Sequence, residues 1–126
     1  MGYRSHVVLA IGKELLPFFM LSLSQNKEAE ALVFIHADEF DRDYQGDKSW
    51  LLRWDAIKWY EGYEDIQALT KFVDEAAADE YEFKVDGKPT ASSDYIRFVR
   101  VGEESDDIEC RGDGFWDIHP STSINY

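Results

Sequence analysis

The chain has 126 residues, of which 44% are hydrophobic and 15% aromatic, and its formal charge is −13 at pH 7. This length and composition are typical of a single folded domain, residues 1–126, and exclude a disordered chain. The charge disfavours direct binding to nucleic acid or to an anionic membrane, because both need clustered lysine and arginine side chains. A basic protein is the partner that the charge favours.

The cysteine content and the apolar segments predict where the protein acts. Cys110 is the single cysteine, so an intramolecular disulfide is excluded and a reducing compartment is expected. The apolar stretch at residues 15–23 is too short to span a bilayer and has no basic leader before it. We therefore expect a cytoplasmic protein without a membrane anchor, and interpret this stretch as part of a buried helix.

The first half of the chain is predicted to alternate between strands and helix. Val7, Leu9 and Ile11 alternate with other residues, which predicts one face of a strand. The stretch 50–60 fits a helix by its apolar spacing and a strand by its composition; we interpret it as a strand that pairs with the one before it. The predicted elements are a strand at 3–11, a helix at 13–25, a strand at 31–37, a polar loop at 38–48 and a strand at 50–60.

The second half begins with the clearest periodicity in the chain. Ile66, Leu69 and Val73 recur at helical spacing, which predicts a helix with these side chains in the core. Farther along, Ile96, Phe98 and Arg100 are expected on one side of a strand. The predicted elements are a helix at 61–79, a strand at 81–85, a turn-rich loop at 86–94, a strand at 95–101, and short closing strands at 108–111 and 116–119.

The order of these elements predicts an α+β fold. Strands and helices follow one another as β-α-β-β-α-β, with further strands after them. Such an order favours one mainly antiparallel sheet with two helices packed on one face. A ferredoxin-like arrangement is the first expectation within that class.

Three blocks of sequence carry a family resemblance. They are "MGYRSHVVLAI" at residues 1–11, "IKWYEGYEDIQAL" at 57–69 and "YIRFVRVGEESDDIE" at 95–109. Together they resemble small proteins encoded by phages and prophages, which typically begin Met-Gly-Tyr-Arg-Ser. The resemblance implies a phage or prophage origin and a role inside the infected cell. It implies no catalytic residue, metal or cofactor.

The residues themselves also predict neither a metal site nor a catalytic site. The segment "DRDYQGDKS" at 41–49 overlays the start of an EF-hand loop, with Asp41 and Asp43 at the first two ligand positions. However, Lys48 replaces an apolar residue, and Leu52 replaces the final glutamate ligand, so a polar loop is favoured. No nucleophile motif accompanies the histidines, and no phosphate-binding loop is present. We expect no catalytic residue and no cofactor.

Acidic residues are concentrated in the second half of the chain. Residues 1–63 hold 10 acids and 7 bases, whereas residues 64–126 hold 16 acids and 6 bases, giving net charges of −3 and −10. We hypothesise an exposed acidic patch that binds a basic host or phage protein. Imitation of DNA by the carboxylates is one way in which such a patch would be recognised. The alternative is a solvated turn. The predicted patch consists of Glu103, Glu104, Asp106, Asp107, Glu109, Asp74, Glu75, Asp79 and Glu80.

A dense aromatic group suggests a second interpretation. Its members are Trp54, Lys58, Trp59, Tyr60 and Tyr63. Core packing is favoured for this group, because tryptophan and tyrosine bury large areas. The alternatives are an interface anchor and the pocket of a small ligand-binding domain or enzyme. A minor structural component of the phage particle is a third functional class.

Overall fold

A five-stranded antiparallel sheet forms the centre of the fold in the computed structural model, which describes residues 3–81, 83–104, 106–115, 117–120 and 124–125. The strands are β1 (Ser5–Ile11), β2 (Glu39–Tyr44), β3 (Ser49–Ile57), β4 (Phe83–Val85), β5 (Lys88–Thr90), β6 (Ile96–Val101), β7 (Ile108–Arg111), β8 (His119–Pro120) and β9 (Ile124–Asn125). The order across the main sheet is β2-β3-β1-β6-β7. The other four strands form two separate antiparallel pairs, β4 with β5 and β8 with β9.

Three α-helices lie in the described part of the chain. They are α1 (Leu16–Ser24), α2 (Lys27–Phe34) and α3 (Glu64–Ala77), with short 3-10 turns at Lys13–Leu15 and Ser92–Tyr95. The predicted α+β class is confirmed, with one more helix than expected. None of these helices has the length and apolar character that crossing a membrane requires.

The connections between the strands agree with the ferredoxin-like expectation in strand order. The helices α1 and α2 lead from β1 to β2, and β3 lies between those two strands in the sheet. In the same way, α3 lies on the connection from β3 to β6, and β1 lies between these two strands in the sheet. Two interleaved, split β-α-β units result. Helix α2 and the edge strand β7 are additional to the elements of a ferredoxin-like arrangement.

The main core lies between the helices and one face of the sheet. Val7, Leu9 and Ile11 of β1 point into it, as their alternation predicts. From α3, Ile66 and Leu69 are each 1% exposed, so the predicted core face of this helix is confirmed. The buried Trp54 indole N–H donates to the Leu32 carbonyl at 3.0 Å, which satisfies its polar atom inside the core.

The other face of the sheet packs against the segment after β7. Val8, Val99 and the fully buried Ile118 form a smaller apolar cluster there. Arg97 fixes the covering segment, because its Nε donates to the Ile118 carbonyl and its Nη1 to the Gly112 carbonyl, both at 3.0 Å. The closing strand predicted at 116–119 includes residue 116, which lies outside the described residues.

The prediction of a strand at residues 31–37 is wrong, because helix α2 occupies most of that range. Asn26 caps the helix, since its side-chain oxygen accepts from the backbone N–H groups of Glu28 and Ala29, each at 3.0 Å. Leu32 and Val33, which suggested a strand, instead bury one face of the helix. The capping residue was the stronger local signal.

The prediction of a polar loop at residues 38–48 is also wrong, because residues 39–44 form the edge strand β2. Its charged side chains are tolerated because an edge strand exposes most of its surface to water. Phe40 packs on Trp50, with ring centroids 4.9 Å apart. Strand β3 is confirmed, although its partners are β1 and β2 and not the expected strand at 31–37.

Replacement of Leu69 by alanine tests the core. We expect Leu69→Ala to lower the free energy of unfolding by about 2–5 kcal/mol, because it leaves a cavity under α3. Leu21→Ala is the matched control, since Leu21 is 62% exposed and the change should stay within about 0.5 kcal/mol. Urea unfolding of both variants measures this. Equal costs for the two would contradict the assigned core face.

Candidate functional site

An open groove of about 1000 Å³ lies between α3 and the hairpin of β6 and β7. Trp59, Val73 and Phe98 are the buried apolar side chains among its lining residues. More acidic than basic side chains surround it, so the groove has a net negative charge. Its charged lining residues are Glu61, Asp74, Glu75, Glu80, Asp107, Glu109, Lys71, Arg100 and Arg111.

The strand register explains why charged side chains meet in this groove. Residues directly opposite in an antiparallel pair share a face of the sheet. Arg100 of β6 lies opposite Glu109 of β7, and Phe98 lies opposite Arg111. All four residues therefore belong to the helix-covered face. Because β7 is the edge strand, its side chains on that face line an open groove and not a closed core.

Arg100 is the most buried charged residue in the described chain, at 8% exposure. Its Nη2 lies 2.6 Å from Asp107 Oδ1 and 2.7 Å from Glu109 Oε1. Its Nη1 donates to Asp107 Oδ2 at 3.1 Å and to Ser5 Oγ at 3.0 Å, and its Nε donates to Glu109 Oε1 at 3.0 Å. All three guanidinium nitrogens are engaged within the chain, so Arg100 has a structural role.

Tyr3 connects the N-terminal segment to this ion cluster. Its hydroxyl donates to Asp107 Oδ2 at 2.7 Å and accepts from the Glu104 backbone N–H at 3.1 Å. Its own backbone N–H donates to the Tyr60 hydroxyl at 2.7 Å. The contacts of Tyr3 thus join the loop after β6 to the segment that precedes α3. Both segments border the groove.

These contacts shift the pKa values of the paired groups in opposite directions. The hydrogen bonds from Arg100 and then from Tyr3 hold the pKa of Asp107 below its ordinary value. The hydrogen bond to Asp107 raises the pKa of Arg100. Both groups therefore stay charged at neutral pH. Their charges largely cancel, so Asp107 contributes little to the attraction of an external cation.

Arg111 forms a looser contact across the same groove. Its Nε lies 3.4 Å from Asp74 Oδ1 on α3, and its Nη2 lies 3.9 Å from Glu109 Oε2 on β7. The side chain is 45% exposed, in contrast to that of Arg100. Exposed ion pairs of this length stabilise a fold by only about 0–1 kcal/mol. Its Nη1 also donates to the Cys110 carbonyl at 2.9 Å, so the guanidinium of Arg111 bridges two elements of the groove and is held there more weakly than that of Arg100.

The predicted acidic patch divides into two kinds of residue. Glu103, Glu104 and Asp106 are exposed in the loop between β6 and β7, as expected. The expected exposure is wrong for Asp107 and Glu109, which are partly buried and bind Arg100. Charge reversal at Asp107 would therefore disrupt the fold and would not be neutral. Because the whole segment is acidic, its sequence does not distinguish Asp107 and Glu109, which pair with Arg100, from the exposed acids beside them.

The four other acids of the predicted patch, which lie on α3 or just after it, also differ among themselves. Asp74, Glu75 and Glu80 line the groove, and Glu75 and Glu80 belong to none of the ion pairs of the described residues. Asp79 lies apart from the groove, with a backbone φ of 60° just after α3. Its carboxylate accepts from the Ser93 backbone N–H at 2.9 Å, and this bond lowers the pKa of Asp79.

The predicted aromatic group borders the groove at one end. Trp54 is fully buried and Trp59 is 8% exposed, so core packing is confirmed for these two. Lys58 is half-buried. Tyr60 lines the groove, and its ring centroid lies 5.3 Å from that of Tyr63, which is 45% exposed. Two of the aromatic candidates, Trp59 and Tyr60, therefore line the same groove as part of the acidic group.

The residues that suggested an EF-hand have other roles. Asp41 and Asp43 lie at the end of β2, where Asp41 Oδ1 accepts from the Asp43 N–H at 2.9 Å and Asp43 Oδ1 from the Lys48 N–H at 3.0 Å. These carboxylates stabilise the turn before β3. Within the described ranges, no three histidine, cysteine or acidic side chains cluster as metal ligands would.

In comparisons with known proteins, no family model, no curated protein and no solved structure matches this chain. The resemblance to phage and prophage proteins thus stays a prediction. Charge and geometry at the groove are the observations from which a function can be proposed.

Gly102 offers a local test of the ion cluster. A Cβ atom at this position would collide with the Asp107 carboxylate and the Tyr3 hydroxyl. We therefore expect Gly102→Ala to lower the free energy of unfolding by about 1–3 kcal/mol, the usual range for overpacking. Gly62→Ala is the control, because a Cβ there meets nothing within 4 Å. Thermal unfolding compares the two, and an unchanged Gly102→Ala variant would contradict the close packing of the cluster.

Proposed function

We propose that this protein is a non-enzymatic interaction protein, encoded by a phage or prophage, that binds a basic host or phage protein. Its binding surface is the acidic groove between α3 and the hairpin of β6 and β7. One observation carries the proposal: six carboxylates and only three basic side chains line the groove. Of those three basic side chains, Arg100 is already fully engaged within the chain.

Two carboxylates are the strongest candidates for contact with a partner. Glu75 and Glu80 line the groove and take part in none of the ion pairs among the described residues. A positively charged side chain can approach them without displacing an internal cation. Such charge complementarity accelerates association and selects a basic partner over an acidic one. The exposed loop acids Glu103, Glu104 and Asp106 add to the attraction at longer range.

The apolar part of the groove adds a second contribution. The rings of Trp59 and Phe98 lie with centroids 5.8 Å apart beneath the charged rim. The aliphatic stem of a lysine or arginine can pack on such a surface while its charged end reaches a carboxylate. A basic segment with exposed long side chains thus matches both parts of the groove.

A small ligand is the second candidate occupant. The volume of about 1000 Å³ lies at the upper end of the range of small-molecule sites, and Trp59 and Tyr60 provide aromatic surface. In this case the protein would be a ligand-binding domain or a small enzyme. Binding would depend mainly on the aromatic side chains and would change little with salt.

A binding experiment with a matched control tests the proposed function. A labelled hexa-arginine peptide is the probe, and the test variant is Glu75→Gln with Glu80→Gln. We expect it to bind the peptide about three- to tenfold more weakly than wild type at low salt. The difference should shrink as salt is raised, because the screening length falls from about 10 Å at 0.1 M to 3 Å at 1 M.

The control has the same change in net charge at the opposite edge of the sheet. Asp41→Asn with Asp43→Asn alters β2, whereas the groove borders β7. Each asparagine keeps the Oδ1 acceptor that stabilises the turn. We expect this variant to bind nearly as tightly as wild type. Equal weakening of both variants would show that net charge alone attracts the peptide and would contradict a binding site in the groove.

A further inference from the structure

The chain's own Arg111 occupies the groove in the way that a partner's basic side chain would. Its guanidinium lies between a carboxylate of α3 and a carboxylate of β7, at 3.4 Å from Asp74 Oδ1 and 3.9 Å from Glu109 Oε2. Both acids line the groove. The arrangement shows that a planar cation can reach both elements at once.

The two arginines of this face differ in how firmly they are held. Arg100 is 8% exposed and forms ion pairs of 2.6 and 2.7 Å, whereas the side chain of Arg111 is 45% exposed and its ion-pair distances are longer. Displacement of Arg100 would leave a buried charge without a partner, which is strongly unfavourable. Displacement of Arg111 moves an exposed side chain into water at little cost.

We propose that Arg111 is an intramolecular competitor, whose place on Asp74 and Glu109 an arginine of the partner takes in the complex. This inference rests on the proposed function of the groove. The partner residue is an arginine because its planar, forked guanidinium can donate to two separate carboxylates, whereas a lysine ammonium acts as a point charge. Arg111 thereby lowers the affinity for basic segments that contact only one of the two acids.

The test uses the full chain and the hexa-arginine peptide. Arg111→Gln removes the competitor, and we expect the affinity to rise about two- to fivefold, the range that corresponds to an exposed ion pair. Lys48→Gln is the matched control: it also removes one exposed positive charge, whose Nζ lies 3.9 Å from Asp43 Oδ1 at the far edge of the sheet. It should raise the affinity much less. Both side chains are exposed, so both variants should stay folded, and Arg111→Gln should lose no more stability than an exposed ion pair provides.

The outcomes separate this inference from the proposed function. If the Glu75 and Glu80 variant weakens binding but Arg111→Gln and Lys48→Gln have equal effects, the groove binds the peptide and the competitor role is wrong. If the Glu75 and Glu80 variant behaves as the Asp41 and Asp43 control does, the proposed function itself is wrong. A hexa-lysine peptide is the specificity probe, and we expect it to bind wild type more weakly than hexa-arginine. Equal affinity for the two peptides would contradict the preference for arginine.

Discussion

The burial of one guanidinium group organises this end of the molecule. Strand β6 alternates so that Arg100 points to the same side as Phe98, into the helix-covered core. A buried charge is strongly unfavourable unless it is paired and hydrogen-bonded. The chain meets this requirement with Asp107 and Glu109 from the following hairpin. The conformation of the loop between β6 and β7, and the attachment of Tyr3 to it, depend on that pairing.

This constraint gives the acidic residues of the second half two separate roles. Asp107 and Glu109 stabilise the fold by pairing with Arg100, and because one guanidinium balances only one of the two carboxylates, Glu109 can also attract a second cation such as Arg111. Glu75 and Glu80 line the same groove and remain outside the ion pairs of the described residues, so their charge acts on whatever approaches. Arg111 belongs to neither group, because it bridges the two elements of the groove loosely. The proposed binding of a basic partner depends on this division.

Periodic patterns predicted the parts of the fold that bury one regular face. The spacing of Ile66, Leu69 and Val73 predicted α3 and its buried side, because tertiary packing there follows local periodicity. Short segments were harder, since residues 31–37 have apolar content that suits either a strand or a helix. The cap at Asn26 decided that case. Strand β2 was missed because an edge strand can carry charged side chains without burying them.

The sequence also held a signal for the ion cluster. When the strands predicted at 95–101 and 108–111 pair as a hairpin with Val101 opposite Ile108, Glu109 lies opposite Arg100, as the structure shows. An arginine on the core-facing side of β6 requires an acidic partner, and this register supplies Glu109. The approach of Asp107 and Tyr3 could not be predicted in this way, because it depends on the three-dimensional path of the loop and of the N-terminal segment.

Titration of the Asp107 carboxyl group by NMR tests the central role of Arg100 most directly. If Arg100 and Tyr3 bind this carboxylate in solution, Asp107 should have a pKa below the ordinary aspartate value of about 3.9. That result would establish that the acidic loop has a structural member and is not uniformly solvated. A pKa at or above the ordinary value would show that Asp107 does not bind Arg100, and it would contradict this account of the groove.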